Sequence, residues 1–283
     1  MSREVVVCDL DGTLLGPDAR LSRFAADGLR QLLAAGLPLT VASSRRTASM
    51  RTLLDGVELR LPVIEINGAF VSELGSGRRL VSNILDQATA RAAIEVMVDA
   101  AADPVISAWD GSRDRVHFHS TLNEGSAWFV EGKRRYPEVT DLIVSDALAE
   151  VTDPVAAVTG FVPDAEGGAL VGRLQELLGE SASVYGAANF YRHGWTEVQV
   201  QDPKAEKGAA VPSFLSEAGL EGSRVIACGD HLNDIGLLSV ADVAVAPTNA
   251  HPRIRELADV VVGSNAEDGV IRWLLERYDS GAS

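Results

Sequence analysis

A short apolar run, Val5–Cys8, opens the chain with the pattern of a buried strand. Ser22 is placed to cap a helix that runs to about Ala35 and stops at Gly36. Leu37–Ala42 reads as a second strand and Arg45–Leu54 as a second helix. Pro62–Ile66 reads as a third strand, closed by a turn at Asn67–Gly68. Strand, helix, strand, helix, strand predicts a parallel sheet covered on both faces.

The rhythm changes after about Val81. Asp86–Ala102 has the spacing of a long amphipathic helix, followed by "VISAWDG" and "DRVHFHS", two strand-like runs separated by a turn. A helical stretch from Glu124 to Arg135, the strand "PVAAVTGFV", a helix over Ala165–Leu178 and the strand "SVYGAANF" follow. Strands in pairs between helices predict an α+β module with an antiparallel sheet. From about Thr196 the first rhythm returns, with the strand "TEVQV", a helix over Lys207–Ala218, the strand "RVIACGD" and a short helix over Leu232–Ser239. The strands "VAVAP" and "DVVVG", a last helix over Asp268–Tyr278 and a frayed tail, "DSGAS", complete it. The expected organisation is an α/β, Rossmann-like parallel-sheet core formed by residues 1–82 and 191–283, with residues 83–190 inserted as an α+β cap.

Charge narrows the partners. The chain carries 25 Lys and Arg against 40 Asp and Glu, a net charge of −15. That balance repels nucleic acid and anionic membrane surfaces. No apolar stretch approaches the roughly 18–20 residues of a membrane-spanning helix. The first strand starts too soon after "MSRE" to leave room for a signal peptide. Cys8 and Cys228 each end an apolar run, and two cysteines define neither a disulfide framework nor a zinc site. Both are expected as reduced core residues of a cytoplasmic protein.

Four short stretches lie just beyond apolar strands of the α/β part, at the sheet edge where open parallel sheets bind ligands. In Asp9-Leu10-Asp11-Gly12 the two carboxylates point the same way, and the glycine permits a sharp turn. One such carboxylate can attack phosphorus, and the other can donate and accept protons. Ser43-Ser44-Arg45 places hydroxyls where a helix begins, a site for phosphate oxygens or simply a cap. Lys207 starts a helix against its dipole, which a bound phosphate would justify; a surface lysine is the plainer reading. In Gly229-Asp230-His231-Leu232-Asn233-Asp234, Asp230 together with Asp9 suits magnesium, which takes one or two carboxylates plus phosphate. Asp234, one helical turn on, suits a supporting role.

Taken together, "DLDGTLL", Ser43, Lys207 and "GDHLND", in that order, resemble the four motifs of the haloacid dehalogenase superfamily of aspartate-nucleophile phosphatases. The α+β insert between the second and third, with "EINGAF" and "NAEDGV", resembles the Cof-type branch, subfamily IIB, which carries a large mixed cap. The likeness spans nearly the whole chain. It implies that Asp9 is the nucleophile and a Mg²⁺ ligand, that Asp11 is general acid and base with its backbone carbonyl on the metal, and that Asp230 completes the protein ligands. It also implies that Ser43 and Lys207 hold the transferring phosphoryl group, supported by Asn233 and Asp234. The cap would act as a lid that shields the acyl-phosphate and selects the leaving group. Two positions depart from the family: its usual Thr-Gly-Arg is Ser43-Ser44-Arg45 here, and His231 stands where a small residue is frequent.

The implied activity is Mg²⁺-dependent hydrolysis of a small phosphorylated metabolite. A sugar phosphate is the main expectation, as for sucrose-phosphate and mannosyl-3-phosphoglycerate phosphatases. The alternatives are a phosphomutase, or a phosphatase of FMN or pyridoxal phosphate. A non-catalytic binding protein would be expected to lack Asp9, Asp11 or Asp230, and a dehalogenase would need no magnesium. His117, His119, Glu124, Arg192, His193 and Trp195 are the cap candidates for substrate contact, each of which also reads as a surface or cap-core residue. The sequence names neither the physiological substrate nor the oligomeric state.

Overall fold

The computed structural model describes residues 4–134, 140–189 and 191–279. The expected helix end at Arg135, the strand end at Phe190 and the tail beyond Asp279 lie outside them. Along the chain come β1 (Glu4–Cys8), α1 (Arg23–Ala34), β2 (Leu39–Val41), α2 (Thr47–Leu53), β3 (Val63–Glu65), β4 (Phe70–Ser72) and β5 (Arg79–Ser82). Next are α3 (Gln87–Asp99), β6 (Val105–Trp109), β7 (Asp114–Phe118), α4 (Glu124–Lys133), β8 (Thr140–Val144), β9 (Val155–Pro163), α5 (Asp164–Leu178), β10 (Ser183–Ala188) and β11 (Trp195–Gln201). Last come α6 (Lys207–Glu217), β12 (Arg224–Cys228), α7 (Ile235–Ser239), β13 (Val243–Pro247), α8 (Pro252–Leu257), β14 (Val260–Val262) and α9 (Gly269–Asp279). The chain divides into two compact units, residues 1–82 with 206–283, and residues 83–205.

The first unit is built on a five-stranded parallel sheet in the order β14-β13-β12-β1-β2. Val5, Val6, Val7 and Cys8 are all fully buried. Val6 and Cys8 share a core with Leu29 and Leu32 of α1 and Ile271 and Leu274 of α9, whereas Val5 and Val7 share one with Ala210 and Phe214 of α6 and Leu237 of α7. A strand covered on both faces reads as an unbroken apolar run, which is why β1 shows no alternation. Cys8 and Cys228 are register partners between β1 and β12, both free and buried.

The third expected strand lies outside this sheet. β3 pairs antiparallel with β4, and β4 with β5, in a separate three-stranded sheet. A parallel bridge between Ala42 and Ile64 links it to the end of β2. The tight turn after β3 folds the chain straight back on itself, so the sequence neighbour becomes the pairing partner.

The second unit is a six-stranded sheet in the order β10-β11-β9-β6-β7-β8. Ile106, Val158 and Val198 form its main core with Ala90 and Met97 of α3 and Leu170 and Leu174 of α5. Val105, Val116 and Phe118 form a second with Val130 of α4. Two expectations are corrected here. The sheet is mixed, not antiparallel, because α4 carries the chain between β7 and β8 and leaves them parallel. The strand "TEVQV" belongs to this unit, not to the parallel sheet: β11 pairs antiparallel with β9 and β10, so the chain returns to the first unit at Glu206 instead of residue 191. Thr196, Val198 and Val200 are its buried alternate positions, a pattern any half-covered strand shows whichever sheet receives it. Among the described residues no helix is long and apolar enough to cross a membrane.

Candidate active site

In the first unit the sheet ladder continues just past three strand ends. Asp9 N donates to Cys228 O (2.8 Å), Ala42 N to Cys8 O (2.9 Å) and Gly229 N to Val245 O (3.2 Å). The loops after β1, β2 and β12 therefore leave the carboxyl edge of the sheet side by side.

Lys207, the first residue of α6, is only 1 % exposed. Its Nζ donates to Asp9 Oδ1 (2.6 Å) and to Asp234 Oδ1 (2.7 Å). The unfavourable end of the helix dipole is answered by these carboxylates and by Glu206, whose side chain accepts from Gly208 N and Ala209 N. Asp234, fully buried, also accepts from the backbone N–H of Asp230 (3.0 Å) and His231 (3.1 Å) with its second oxygen. It thereby ties Lys207 to the loop that carries Asp230. Thr13 Oγ1 donates to Asp230 Oδ1 (3.3 Å). Gly12 turns the chain at φ +80°, and a Cβ there would sit 2.2 Å from Asp230 Oδ2, so both the turn and the close approach require glycine.

Asp11 points to a different partner. Arg45 Nε donates to Asp11 Oδ2 (2.7 Å) and Arg45 Nη2 to Asp11 Oδ1 (2.6 Å), a bidentate pair. Spacing alone gave no sign of this contact, since 34 residues separate the two. Ser43 is fully buried, its Oγ accepting from Arg45 N (3.2 Å). Asn233 Nδ2 donates to Asn67 Oδ1 (3.1 Å), and Asn67 N to Ser43 O (3.0 Å), so Asn67 joins the second and fourth motifs. Asn67 does so from the left-handed region, φ 53°, which asparagine tolerates better than most residues.

Asp9, Asp11, Asp230 and Asp234 face two cationic groups, Lys207 and Arg45, leaving two negative charges in excess. Burial raises the Asp9 carboxyl well above its ordinary range; Lys207 opposes this, while Asp234, Asp230 and Asp11 reinforce it. Burial and then Asp234 push Asp230 up to about 7, against Lys207 and the Thr13 hydroxyl. For Lys207, burial favours the neutral amine, but the Asp234 and Asp9 carboxylates outweigh it and the net shift is upward. The ammonium therefore stays charged, and the strain of like charge falls on the carboxylates. One oxygen from each of Asp9, Asp230 and Asp234 lies within 4.8 Å of the others. An all-oxygen donor set with two uncompensated negative charges fits a hard divalent cation. The grouping contains both expected ligand side chains, Asp9 and Asp230, and adds Asp234.

The sign of these shifts gives a measurable consequence. Between the ordinary Asp value of 3.8 and about 7, folded Asp230 binds a proton that the unfolded chain has lost. Stability must therefore fall as pH rises through that window. Thermal melts in EDTA should show a melting temperature that declines from pH 4 to pH 7, and millimolar Mg²⁺ should flatten the decline. A flat profile in EDTA would contradict the charge excess.

The cap candidates sit within the second unit. His117 Nε2 is bonded to Asp153 Oδ2 (2.8 Å), His119 Nδ1 lies 3.9 Å from Asp146, and Arg192 pairs with Glu124 (2.7 Å). His193 is exposed, and Trp195 opens β11. His117 is thus a satisfied, buried cap residue.

Residues 6–274 match the sequence profile of a family described as haloacid dehalogenase-like hydrolase. The chain is similar to the 5-amino-6-(5-phospho-D-ribitylamino)uracil phosphatase YwtE of Bacillus subtilis, 25 % identical with 95 % of this chain and 96 % of the relative aligned. It is also similar to the pyridoxal phosphate phosphatase YbhA of Escherichia coli, 23 % identical over 97 % and 98 % of the two chains. A solved haloacid dehalogenase-like hydrolase from Bacteroides thetaiotaomicron shares the fold, with a TM-score of 0.77 at 20 % identity over 97 % of this chain and 99 % of that one.

Proposed function

The chain belongs to the haloacid dehalogenase-like hydrolase family, and from that premise we propose that it is a Mg²⁺-dependent phosphatase acting through an aspartyl-phosphate on Asp9. The carrying observation is the buried Asp9–Lys207–Asp234 chain with Asp230 beside it, two negative charges in excess of neutrality. A bound Mg²⁺ on Asp9, Asp230 and the Asp11 carbonyl would neutralise charge on the phosphoryl oxygens.

The chain's own groups divide the remaining work. An Asp9 oxygen attacks phosphorus in line, forming the acyl-phosphate bond as the ester P–O bond breaks. Asp11 gives its proton to the departing oxygen, then as carboxylate takes one from the water that attacks the acyl-phosphate. Inorganic phosphate leaves and Asp9 is restored. Lys207 and the Ser43 hydroxyl donate to the phosphoryl oxygens, and Asp234 keeps Lys207 aimed. Arg45 engages both Asp11 oxygens in this structure and must give up one of them for Asp11 to carry its proton, and Asn233 braces the Ser43 loop through Asn67. The second unit is assigned the choice of leaving group. The free, buried Cys8 and Cys228 suit a reducing compartment such as the cytoplasm.

Two relatives are named for phosphates that carry a planar heterocycle, ribitylaminouracil and pyridoxal. That supports the pyridoxal phosphate alternative over the sugar-phosphate reading, and we assign the substrate to heterocycle-bearing phosphates. Phosphate release from a panel tests this: pyridoxal phosphate, FMN, the phosphoribitylaminouracil, sucrose phosphate and mannosyl-3-phosphoglycerate, each with Mg²⁺ and with EDTA. The ring compounds should lead in kcat/KM by about tenfold or more, with turnover lost in EDTA. Sugar phosphates in the lead would reverse the substrate assignment, and metal-independent release would remove the mechanism.

A further inference from the structure

The segment "NAEDGV" has no part in the chemistry above, yet its residues are fully engaged. Glu267 closes a capping box with Ser264, Asp268 accepts from Ser22 Oγ (2.8 Å), and Gly269 packs so closely on Gly263 that a Cβ would collide with its carbonyl. Asn265 reaches further. Its Nδ2 donates to Leu15 O (2.8 Å), and its backbone N–H donates to Asn249 Oδ1 (2.8 Å). Asn249 Nδ2 in turn donates to Gly12 O (2.8 Å).

Those two carbonyls belong to the turn that carries Asp11. The turn's internal bonds converge on one acceptor: Thr13 N (3.3 Å), Leu14 N (3.0 Å) and Leu15 N (2.8 Å) all donate to Leu10 O. Of the peptide after Gly12, that pattern holds only the Thr13 N–H, by its longest bond. The Asn249 amide holds the carbonyl, one peptide beyond Asp11. Asn249 follows β13 and Asn265 follows β14, so the turn after β1 is tied to two other strand ends at the same sheet edge.

We propose that Asn249, held in place by Asn265, is a positioning residue for Asp11, setting where that carboxyl meets the departing oxygen. The proposal rests on the phosphatase reading of the same site. Small displacements matter here, since an error of about 1 Å in a catalytic group can cost on the order of 10²-fold in rate. Asn249 is exposed, so it contributes little to the core, and its removal should leave the fold standing.

The test compares two esters in single-turnover and steady-state kinetics with Mg²⁺. Glycerol phosphate has an alkoxide leaving group that needs a proton, whereas p-nitrophenyl phosphate has one that does not. Asn249→Ala should slow phosphoryl transfer from glycerol phosphate by roughly 10²-fold and from p-nitrophenyl phosphate by less than about threefold, with KM nearly unchanged. Asn249→Asp keeps the acceptor for Asn265 but loses the donor to Gly12 O, and should match the alanine variant. Asn265→Ala keeps the backbone N–H that Asn249 accepts from and loses only the bond to Leu15 O, so it should slow transfer from glycerol phosphate far less than Asn249→Ala does. Equal losses on the two esters, a wild-type-like Asn249→Asp, or a rate loss that only tracks a fallen melting temperature would overturn the positioning role alone. Wild-type protein that releases phosphate from neither ester nor from any compound of the panel above would overturn the phosphatase reading and this role with it.

Discussion

Asn in place of Asp9 is expected to abolish turnover, by a factor on the order of 10⁴ or more, without unfolding the protein. The amide has the shape of the carboxylate but cannot attack phosphorus, so the step that forms the acyl-phosphate is lost. Stability should hold for an electrostatic reason. Lys207 keeps its 2.7 Å bond to Asp234, and the substitution removes one of the like charges that raise the proton affinity of the cluster. The melting temperature in EDTA at pH 7 should stay level or rise slightly. Phosphate release together with a thermal melt decides the matter: turnover near wild type would remove Asp9 as nucleophile, while lost turnover with a collapsed melt would show only that the site is structural.

Much of this site was legible because short-range rules place its parts. An i, i+2 pair off a doubly buried strand puts Asp9 and Asp11 at one sheet edge, and a lysine opening a helix against the dipole asks for a nearby anion. Lys207 has two, both buried. What stayed hidden depends on partners far along the chain. The pairing of Arg45 with Asp11, the bridge from Asn233 to Asn67 and the reach of Asn249 to Gly12 span 34, 166 and 237 residues. No local period encodes such contacts. β11 misled for a related reason: Thr196, Val198 and Val200 alternate as a half-buried strand must, and alternation reports burial without naming the neighbouring strand. β4, β5 and β8, of three to five residues, are too short and too weakly patterned to stand out. The offset of Asp234 from Asp230 suggests a neighbour one helical turn on, but its bonds to the backbone of Asp230 and His231 depend on the 3₁₀ turn over Leu232–Asp234, which swings the carboxylate back under the loop.

Lys207→Met should produce the largest loss of stability of any single change at the site. Methionine nearly matches the length of the side chain, so packing is kept and the charge alone is removed. Asp9 and Asp234, both buried, and the half-buried Asp230 then face one another with no ammonium among them. Removing one partner of a buried ion pair costs about 3–5 kcal/mol, and at about 2–4 °C per kcal/mol for a protein of this size the melting temperature should drop by roughly 10 °C at pH 8 in EDTA. The sign with pH follows from the same charges. Lys207 lowers the carboxyl affinities it touches, so without it the folded state binds protons even more readily than the unfolded chain. The deficit should therefore shrink towards pH 5 and widen towards pH 8. Mg²⁺ should recover part of it, since a ligand at 100 times its Kd adds about 2.7 kcal/mol. A variant that melts within about 2 °C of wild type at pH 8 in EDTA would refute the balance of charges drawn here. Adding Asp234→Asn separates charge from chemistry: the double variant has one carboxylate fewer to hold and should regain much of the lost stability, yet it still lacks the ammonium that meets the phosphoryl oxygens and should remain inactive.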